Sequence, residues 1–274
     1  VGGLNPAIII PILFVVGVCI YLFIFGNPSN FQKPEQFEGA MSVAFSNVES
    51  KGIEPADGSI PGTIYKGGPI VPILITFMMT VLVFSIERFL VLGKAAGAGN
   101  LDVFVNKIRG LLNKNKVDEA LEECDAQKGS VGNVVKEGLT TYKALAHDTT
   151  LNKEQKMVAL TKAIEEATTL EMPMLEKNMM ILSTLGTVAT LVALLGTVLG
   201  MIRAFAALGG GGGTPDAAAL STGISEALIN TALGIGTSAI AIILYNFFTS
   251  KIDGLTYKID EISMSIQQSF AEFH

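Results

Sequence analysis

The sequence predicts an all-α membrane protein with four transmembrane helices, and three observations support that class. Hydrophobic residues make up 49% of the 274 residues and the mean hydropathy is +0.49, which is unusual for a soluble domain and typical of a polytopic membrane protein. Four apolar runs reach the roughly 20 residues that a helix needs to cross a bilayer. In the long polar segment between the second and third runs, apolar residues recur at helical spacing.

The first apolar run extends from Pro6 to Phe25 and is long enough to span the membrane. An uncleaved or trimmed signal sequence is the alternative, but the run lacks a basic start and a clear small-x-small cleavage site. We therefore assign residues 1–26 to an extra N-terminal transmembrane helix, whose simplest role is a membrane anchor outside the core bundle.

Residues 27–68 are polar, rich in Gly and Pro, and predominantly acidic. We predict an outer loop with a short amphipathic helix near residues 36–48, where apolar residues recur at roughly helical spacing. A solvated connector is favoured here over a surface that contacts a partner protein.

The second span covers residues 69–92, with Pro69 and Pro72 in the opening turns, where proline is tolerated. Basic residues cluster on one side of the predicted membrane: Lys94, Lys177, Lys251 and Lys258. Because positive charge is enriched in cytoplasmic segments, that side and both chain ends are predicted to be cytoplasmic.

Residues 93–177 form a predicted cytoplasmic helical domain with a charged, solvated surface. Its helical patterns cover Leu101–Asn113, Val117–Ala126, Val131–Leu145 and Asn152–Leu170. Between Asn152 and Leu208 the only strong interruption is Pro173. The third membrane helix is therefore expected to extend into the cytoplasm and to kink there.

The third and fourth spans, residues 178–208 and 217–250, form a membrane hairpin across a Gly-rich loop at residues 209–216. Each helix carries polar side chains at helical spacing. On the third span these are Ser183, Thr187, Thr190 and Thr197; on the fourth, Thr222, Glu226, Asn230 and Thr237 share one face, and Thr231 and Ser238 share another. Single hydroxyls commonly serve helix packing, but two stripes with an intramembrane glutamate favour a polar path.

Glu226 is the one acidic residue within the hairpin spans. A carboxylate at that depth costs several kcal/mol if it faces lipid, so it is predicted to face protein or water. Arg203, near the outer end of the third span, is a candidate partner. Snorkelling of Arg203 to the outer interface is favoured, because the two residues are offset differently from the loop.

Residues 251–274 are predicted to form a cytoplasmic amphipathic helix. Its apolar stripe has three-four spacing and comprises Ile252, Leu255, Ile259, Ile262, Ile266 and Ser269 or Phe270. Such a stripe needs a partner surface. Packing against the chain's own segment 93–177 and contact with neighbouring copies in a ring are equally favoured alternatives.

Several function classes are disfavoured by the sequence. The formal net charge of −6 and the lack of a basic patch argue against nucleic acid as a partner. No nucleophile elbow, Walker loop or zinc-ligand spacing occurs, so no enzyme activity, metal or cofactor is expected. Cys19 lies in an apolar run and Cys124 in the polar segment, which disfavours a disulfide between them. A substrate transporter is disfavoured because the chain shows no repeated halves.

Three motifs resemble the MotA/TolQ/ExbB proton-channel family. They are LGTVLGMI at residues 195–202, GISEALINTALGI at residues 223–235 and YNFF at residues 245–248. The resemblance covers about residues 65 to 255, and the Glu87-Arg88 pair at the end of the second span fits it as well. The ISEAL and YN matches are closer to the ExbB and TolQ branch than to MotA.

This resemblance implies a bacterial inner-membrane motor driven by the proton-motive force. It implies a homo-oligomeric ring, of five copies, around single-span helices of an ExbD-like partner that carries a proton-binding aspartate, and a TonB-like protein that the motor moves. The loop at residues 27–68 is then periplasmic. The implied function is ExbB-like, energising TonB-dependent transport across the outer membrane. The alternatives are a TolQ-like subunit of the Tol-Pal system and a MotA-like stator.

The resemblance also suggests residue roles within the hairpin. Thr197 and Thr231 match the motif positions of pore-lining hydroxyls, and Glu226 matches the buried carboxylate of the pore wall. Asn230 departs from the small residue expected beside the threonine and either adds a pore hydrogen bond or bonds between helices. Thr190 and Ser238 complete the expected lining. A structural scaffold, which would need no polar stripe, is the contrasting alternative.

Overall fold

The computed structural model describes residues 4–32, 55–56, 58–209 and 217–273. Within these ranges the chain is helical, apart from turns and one isolated bridge between Phe31 and Pro55. Four of the described helical stretches are long and apolar enough to cross a membrane, which confirms the predicted all-α, four-span class. The amphipathic helix predicted near residues 36–48 and the Gly-rich turn at residues 210–216 lie outside the described residues.

The described residues divide into two compact units. The hairpin unit comprises the described parts of Leu4–Ser85 and Ile181–Tyr245, and the helical unit comprises those of Ile86–Met180 and Asn246–His274. The hairpin unit contains most of the apolar helical length, and the helical unit contains most of the charged residues.

The helices that carry the candidate spans follow the apolar runs. They are α1, Pro6–Cys19, continued by a π-helical stretch over Ile20–Phe25; α3, Val71–Ala95, preceded by a 3-10 turn at Gly68–Ile70; α8, Met179–Gly209; and α9, Ala217–Phe273. The short helix α2, Ile60–Tyr65, lies between the first two spans in the sequence. In the hairpin unit, α1 packs against α3 at Gly17, where an added Cβ would lie 2.7 Å from the Thr76 hydroxyl. The rings of Tyr21 and Tyr65 stack at 4.6 Å just beyond this contact.

The polar segment forms four helices, α4 over Leu101–Leu112, α5 over Val117–Gln127, α6 over Gly129–His147 and α7 over Lys153–Glu176. The first three begin and end within two residues of their predicted limits. Side-chain caps explain two of the starts: Asn100 accepts a hydrogen bond from the Asp102 amide, and Asn152 forms a capping box with Gln155.

The apolar stripe at the end of α9 packs on the chain's own helices, one of the two alternatives that the sequence left open. Ile266 and Ile164 both reach the surface of α6 at Gly138. The Phe270 ring meets that of Tyr142 edge-on at 4.9 Å, and the Ser269 hydroxyl donates to the Leu112 carbonyl at 3.2 Å. These contacts bury the stripe within the helical unit and supply its core.

The interruption that the sequence predicts at Pro173 lies instead at Lys177 and Asn178. Pro173 is inside α7, which ends at Glu176; Asn178 has φ +63° before α8 begins. Asparagine tolerates this left-handed conformation better than most residues. The helix is therefore interrupted where the backbone leaves the helical region, four residues after the proline.

We call the interruption at Lys177 and Asn178 the elbow. A buried ion pair lies beside it. The Arg88 guanidinium, fully buried, donates to both Glu87 carboxylate oxygens at 2.6 and 2.7 Å. Arg88 also reaches the carbonyls of Met174 and Leu175 at 3.4 and 3.3 Å, in the last turn of α7, where carbonyls lack helical partners. Asn178 donates to Glu87 at 3.3 Å. The motif-like Glu87-Arg88 pair therefore has a local structural role.

Both cysteines are free thiols. Cys124 is buried in the helical unit beside α6, and burial, reinforced by the charge of Asp125, raises the pKa of its thiol to about 12. Cys19 is exposed in the first apolar run. Cys124 is therefore a neutral packing group at physiological pH.

Candidate functional site

Helices α8 and α9 approach each other closely through small residues. A Cβ added to Gly200 would lie 2.8 Å from the Gly223 carbonyl oxygen, and one added to Gly223 would lie 2.8 Å from the Ala204 amide. A Cβ added to Gly234 would overlap that of Ala193. Such contacts allow backbones to approach and fix the register of two apolar helices. The polar side chains of the hairpin are positioned by this register.

Thr197 of α8 and Thr231 of α9 meet across this interface. Their hydroxyl oxygens are 2.5 Å apart, and both residues are half-buried. Each hydroxyl also lies within hydrogen-bond distance of a carbonyl of its own helix, Thr197 of Ala193 at 3.1 Å and Thr231 of Ala227 at 3.0 Å. A hydroxyl has one proton and two acceptor lone pairs, so the pair retains the capacity to accept a further hydrogen bond from water or an acid.

Glu226 is almost completely buried, with 1% of its side chain exposed, and is paired with Arg203. One guanidinium nitrogen of Arg203 lies 2.5 and 2.6 Å from the two carboxylate oxygens, while the arginine side chain itself is 40% exposed. The sequence favours snorkelling for Arg203; the structure instead places its guanidinium on the carboxylate. The pair compensates the buried charge, as a carboxylate at this depth requires.

The carboxylate of Glu226 also packs on the backbone of Gly68, directly before α3. Gly68 has φ +75°, and an added Cβ would collide with the Glu226 side chain. A side chain at position 68 is therefore excluded both by conformation and by space. The predicted outer loop, residues 27–68, ends at Gly68. The sequence feature that marks Gly68 is its position before Pro69, at the start of an apolar run. That feature does not identify Glu226 as the residue that Gly68 contacts.

Asn230 lies one turn beyond Glu226 and is fully buried. Its amide nitrogen donates to the Gly67 carbonyl at 3.0 Å, which ties α9 to the segment that leads into α3. Its amide oxygen has no hydrogen-bond partner among the described residues. The side chain packs against Gly196, where an added Cβ would lie 2.8 Å from three of its atoms. Asn230 thus bonds from α9 to the turn before α3, and its pore role stays a prediction.

The remaining predicted residues occupy different environments. Ser238 is buried and donates to the Gly186 carbonyl across the α8–α9 interface. Thr190 is exposed on α8, as are Ser183 and Thr187 on the same helix. The six predicted residues therefore comprise three buried groups, one half-buried pair and one exposed threonine, and their pore-lining role stays a prediction. Among the described residues, no group of three or more His, Cys, Asp or Glu side chains is placed to hold a metal ion.

The hairpin lies in a part of the chain that is similar in sequence to known proteins. A family model described as the MotA/TolQ/ExbB proton channel family matches residues 127–261, which include Thr197, Glu226 and Thr231. Among curated relatives, a putative biopolymer transport protein ExbB-like 3 of Synechocystis is 34% identical over 113 residues, 41% of this chain and 54% of that protein. The biopolymer transport protein ExbB of Xanthomonas campestris is 35% identical over 110 residues, 40% of this chain and 43% of that protein.

The Tol-Pal system protein TolQ of Pseudomonas aeruginosa is 26% identical over 186 residues, 65% of this chain and 79% of that protein. The alignments to the two ExbB-named relatives thus span about half of each relative's length. The matched region contains α8 and the apolar part of α9, which includes the buried Glu226. The chain belongs to the MotA/TolQ/ExbB proton channel family.

Proposed function

We propose that this chain is an ExbB-like subunit of a motor in the bacterial inner membrane that is driven by the proton-motive force. With an ExbD-like partner it energises TonB-dependent transport across the outer membrane. The observation that supports this most directly is the Thr197–Thr231 hydroxyl pair at 2.5 Å, half-buried in the region that the family model matches. N- and C-termini on the cytoplasmic side follow from the positive-inside rule.

The hydroxyl pair suits a proton path because a hydroxyl both donates and accepts without introducing a fixed charge. The predicted spans of this chain contain no aspartate, so the acid that binds the proton is assigned to the single-span partner. An acid beside Thr197 and Thr231 can exchange hydrogen bonds with them in both its protonated and ionised states. The pair therefore accommodates both states of the partner's carboxyl group.

The same hairpin contains the Glu226–Arg203 ion pair, in which the two charges compensate each other. Arg203 contacts both carboxylate oxygens of Glu226, so the counter-charge of this buried carboxylate belongs to the same chain. The role of Glu226 in this proposal is to hold the start of α3 against α9, at Gly68, during force transmission. Proton transfer is assigned to the partner's acid.

The test removes the hydroxyls and retains the side-chain shape. Thr197→Val and Thr231→Val, in a complex with the chain's own single-span partner, should each reduce proton flux into proteoliposomes by about tenfold, the equivalent of about 1.4 kcal/mol in barrier height. Thr184→Val, an exposed threonine on the same helix outside the predicted polar stripe, is the matched control and should retain the flux. Unchanged flux in both hydroxyl variants would return the pair to a packing role.

A TolQ-like role in the Tol-Pal system is the second candidate, supported by the alignment to a TolQ protein over 79% of that protein's length. The two candidates differ in the process that fails when the gene is deleted. Loss of TonB-dependent uptake with an intact envelope would support the ExbB-like role. Sensitivity of the envelope to detergent, with uptake retained, would support the TolQ-like role.

A further inference from the structure

A groove in the helical unit lies between the end of α3 and the middle of α9. Its cavity has a volume of about 350 Å³, within the range of small-molecule pockets. The apolar part of the lining includes Phe89 and Leu92 of α3 and Phe248 and Leu255 of α9. The charged part is Lys251, Lys258 and the carboxylate of Asp102. The groove thus combines an apolar floor with positive charge in one small volume.

The groove lies at the level where both helices change from apolar to charged sequence. The apolar stretch of α3, interrupted by the buried Glu87–Arg88 pair, ends at Lys94, and that of α9 ends at Lys251. In a membrane-spanning helix such a change marks the boundary between hydrocarbon and headgroups. Phe89, Leu92 and Phe248 therefore lie towards the hydrocarbon and Lys251 lies at the depth of lipid phosphates, whereas Leu255 and Lys258 lie about one and two turns further along α9.

The two lysines of the groove differ in what already compensates their charge. Lys258 pairs with Asp102 at 2.7 Å and with Glu261 at 3.1 Å. Lys251 has no ion pair among the described residues; its ammonium lies 5.4 Å from the centre of the exposed Phe247 ring. Lys94 likewise has no ion pair within the part of the chain that the structure describes. The groove therefore presents uncompensated positive charge at Lys251, with Lys94 on the neighbouring helix.

Two glycines leave the groove open. Gly93 and Gly254 both line it, and a Cβ added at either position would meet no atom within 4 Å. A larger side chain at either position would therefore enter the cavity without disturbing the packing around its own Cβ. This provides a means of filling the groove by substitution.

We propose that this groove binds one anionic phospholipid of the surrounding bilayer. An acyl chain lies along Phe89, Leu92 and Phe248, and the phosphate is held by Lys251. Basic pockets between helices on the cytoplasmic side of a membrane suit anionic headgroups, and each lysine contributes about fivefold in affinity. A zwitterionic lipid gains less, because its own ammonium competes for the phosphate.

A phospholipid fits the groove better than a second copy of the chain would. A protein partner would have to present an anion and an apolar segment together at the membrane boundary, whereas every anionic phospholipid there has both. This inference goes beyond the proposed motor function and is independent of whether the chain conducts protons.

The test measures lipid retention by native mass spectrometry of the full-length protein, extracted in mild detergent and titrated with dioleoyl-phosphatidylglycerol or dioleoyl-phosphatidylethanolamine. The wild type should retain the glycerol lipid with at least about fivefold higher affinity. Lys251→Gln should weaken that binding about fivefold, and Gly254→Leu should abolish it. The matched control is Lys114→Gln, an exposed lysine beyond the far end of α4, about 18 Å from the Leu101 end at the groove.

The control variant should bind as the wild type does. Equal retention of both lipids by the wild type, or wild-type affinity in Lys251→Gln, would overturn the proposal. A Gly254→Leu variant that loses subunits and keeps its lipid would assign the groove to contact between copies and would overturn it as well. If the Gly254→Leu variant does not fold, the lipid affinity of the surface variant Lys251→Gln is sufficient to test the proposal.

Discussion

At the residue scale, the Glu226–Arg203 pair is asymmetric, because the carboxylate is buried and the guanidinium is 40% exposed. Removing the arginine takes from the buried carboxylate the guanidinium that contacts both of its oxygens, whereas removing the glutamate leaves an arginine that can extend to the interface. Arg203→Met should therefore destabilise the protein by about 3 kcal/mol or more, and Glu226→Gln by less. Thermal unfolding in one detergent measures both.

The double variant, Arg203→Met with Glu226→Gln, is the control for this prediction. Because it removes both charges, its stability should recover to near that of Glu226→Gln alone. Strictly additive losses would show that the two side chains do not interact. Energy-dependent uptake should fall in Glu226→Gln, because the side chain that packs on Gly68 loses its ion pair with Arg203.

Part of this residue-level arrangement could be predicted from the sequence. The cost of a carboxylate in hydrocarbon predicts that Glu226 is enclosed, and it has 1% exposure. The sequence disfavours the contact with Arg203, because the two residues lie at different offsets from the loop. The helices do not meet symmetrically about that loop; their register is fixed by close contacts such as Gly200 on Gly223. That register depends on three-dimensional packing of small residues, which periodicity does not encode.

At the element scale, the elbow between α7 and α8 depends on Arg88 of α3. Arg88→Met would remove the guanidinium that contacts both oxygens of the Glu87 carboxylate, which is 7% exposed, and the donor that reaches the Met174 and Leu175 carbonyls. Breaking a buried pair in this way costs about 3–5 kcal/mol. We expect a corresponding fall in thermal stability and new protease cleavage near residues 174–178.

The matched control for the elbow is Arg109→Met. Arg109 is half-exposed and pairs with Glu261 at 3.0 Å, so its loss should cost about 1 kcal/mol or less. Equal losses of stability in the two arginine variants would mean that the elbow does not need Arg88. A cleavage pattern unchanged from the wild type in Arg88→Met would contradict the local opening.

The elements themselves could be predicted more completely than their connections. Helical spacing identified α4, α5 and α6 to within two residues because each helix buries one apolar face. The elbow at Lys177–Asn178 could not be located in the same way. It is stabilised by an arginine almost ninety positions earlier in the chain, and Pro173, the strongest local breaker, is accommodated within α7. The position of such a helix interruption depends on hydrogen bonds between residues that are far apart in the sequence. A local sequence pattern does not predict those bonds.

At the scale of the whole molecule, the outward surface of α8 is the feature that a single chain leaves unexplained. Ser183, Thr187 and Thr190 are exposed there, and large apolar residues such as Leu191 and Leu194 are exposed on the same helix. Lipid hydrocarbon solvates the apolar side chains but offers the hydroxyls no hydrogen-bond partner. A ring of copies around a partner helix would direct the hydroxyls towards protein or water.

We therefore expect a defined assembly when the protein is extracted in mild detergent from cells that make all of their own membrane proteins. Its native mass should correspond to about five copies of this chain with one or two copies of a small single-span protein, because a ring encloses the polar stripe within a closed interface. Thr190→Leu, at the centre of that stripe, should lower the amount of partner retained, whereas Leu194→Ile on the same helix should not. A stable lone chain or simple dimer under the same conditions would contradict the ring and leave the hydroxyls of α8 as packing groups.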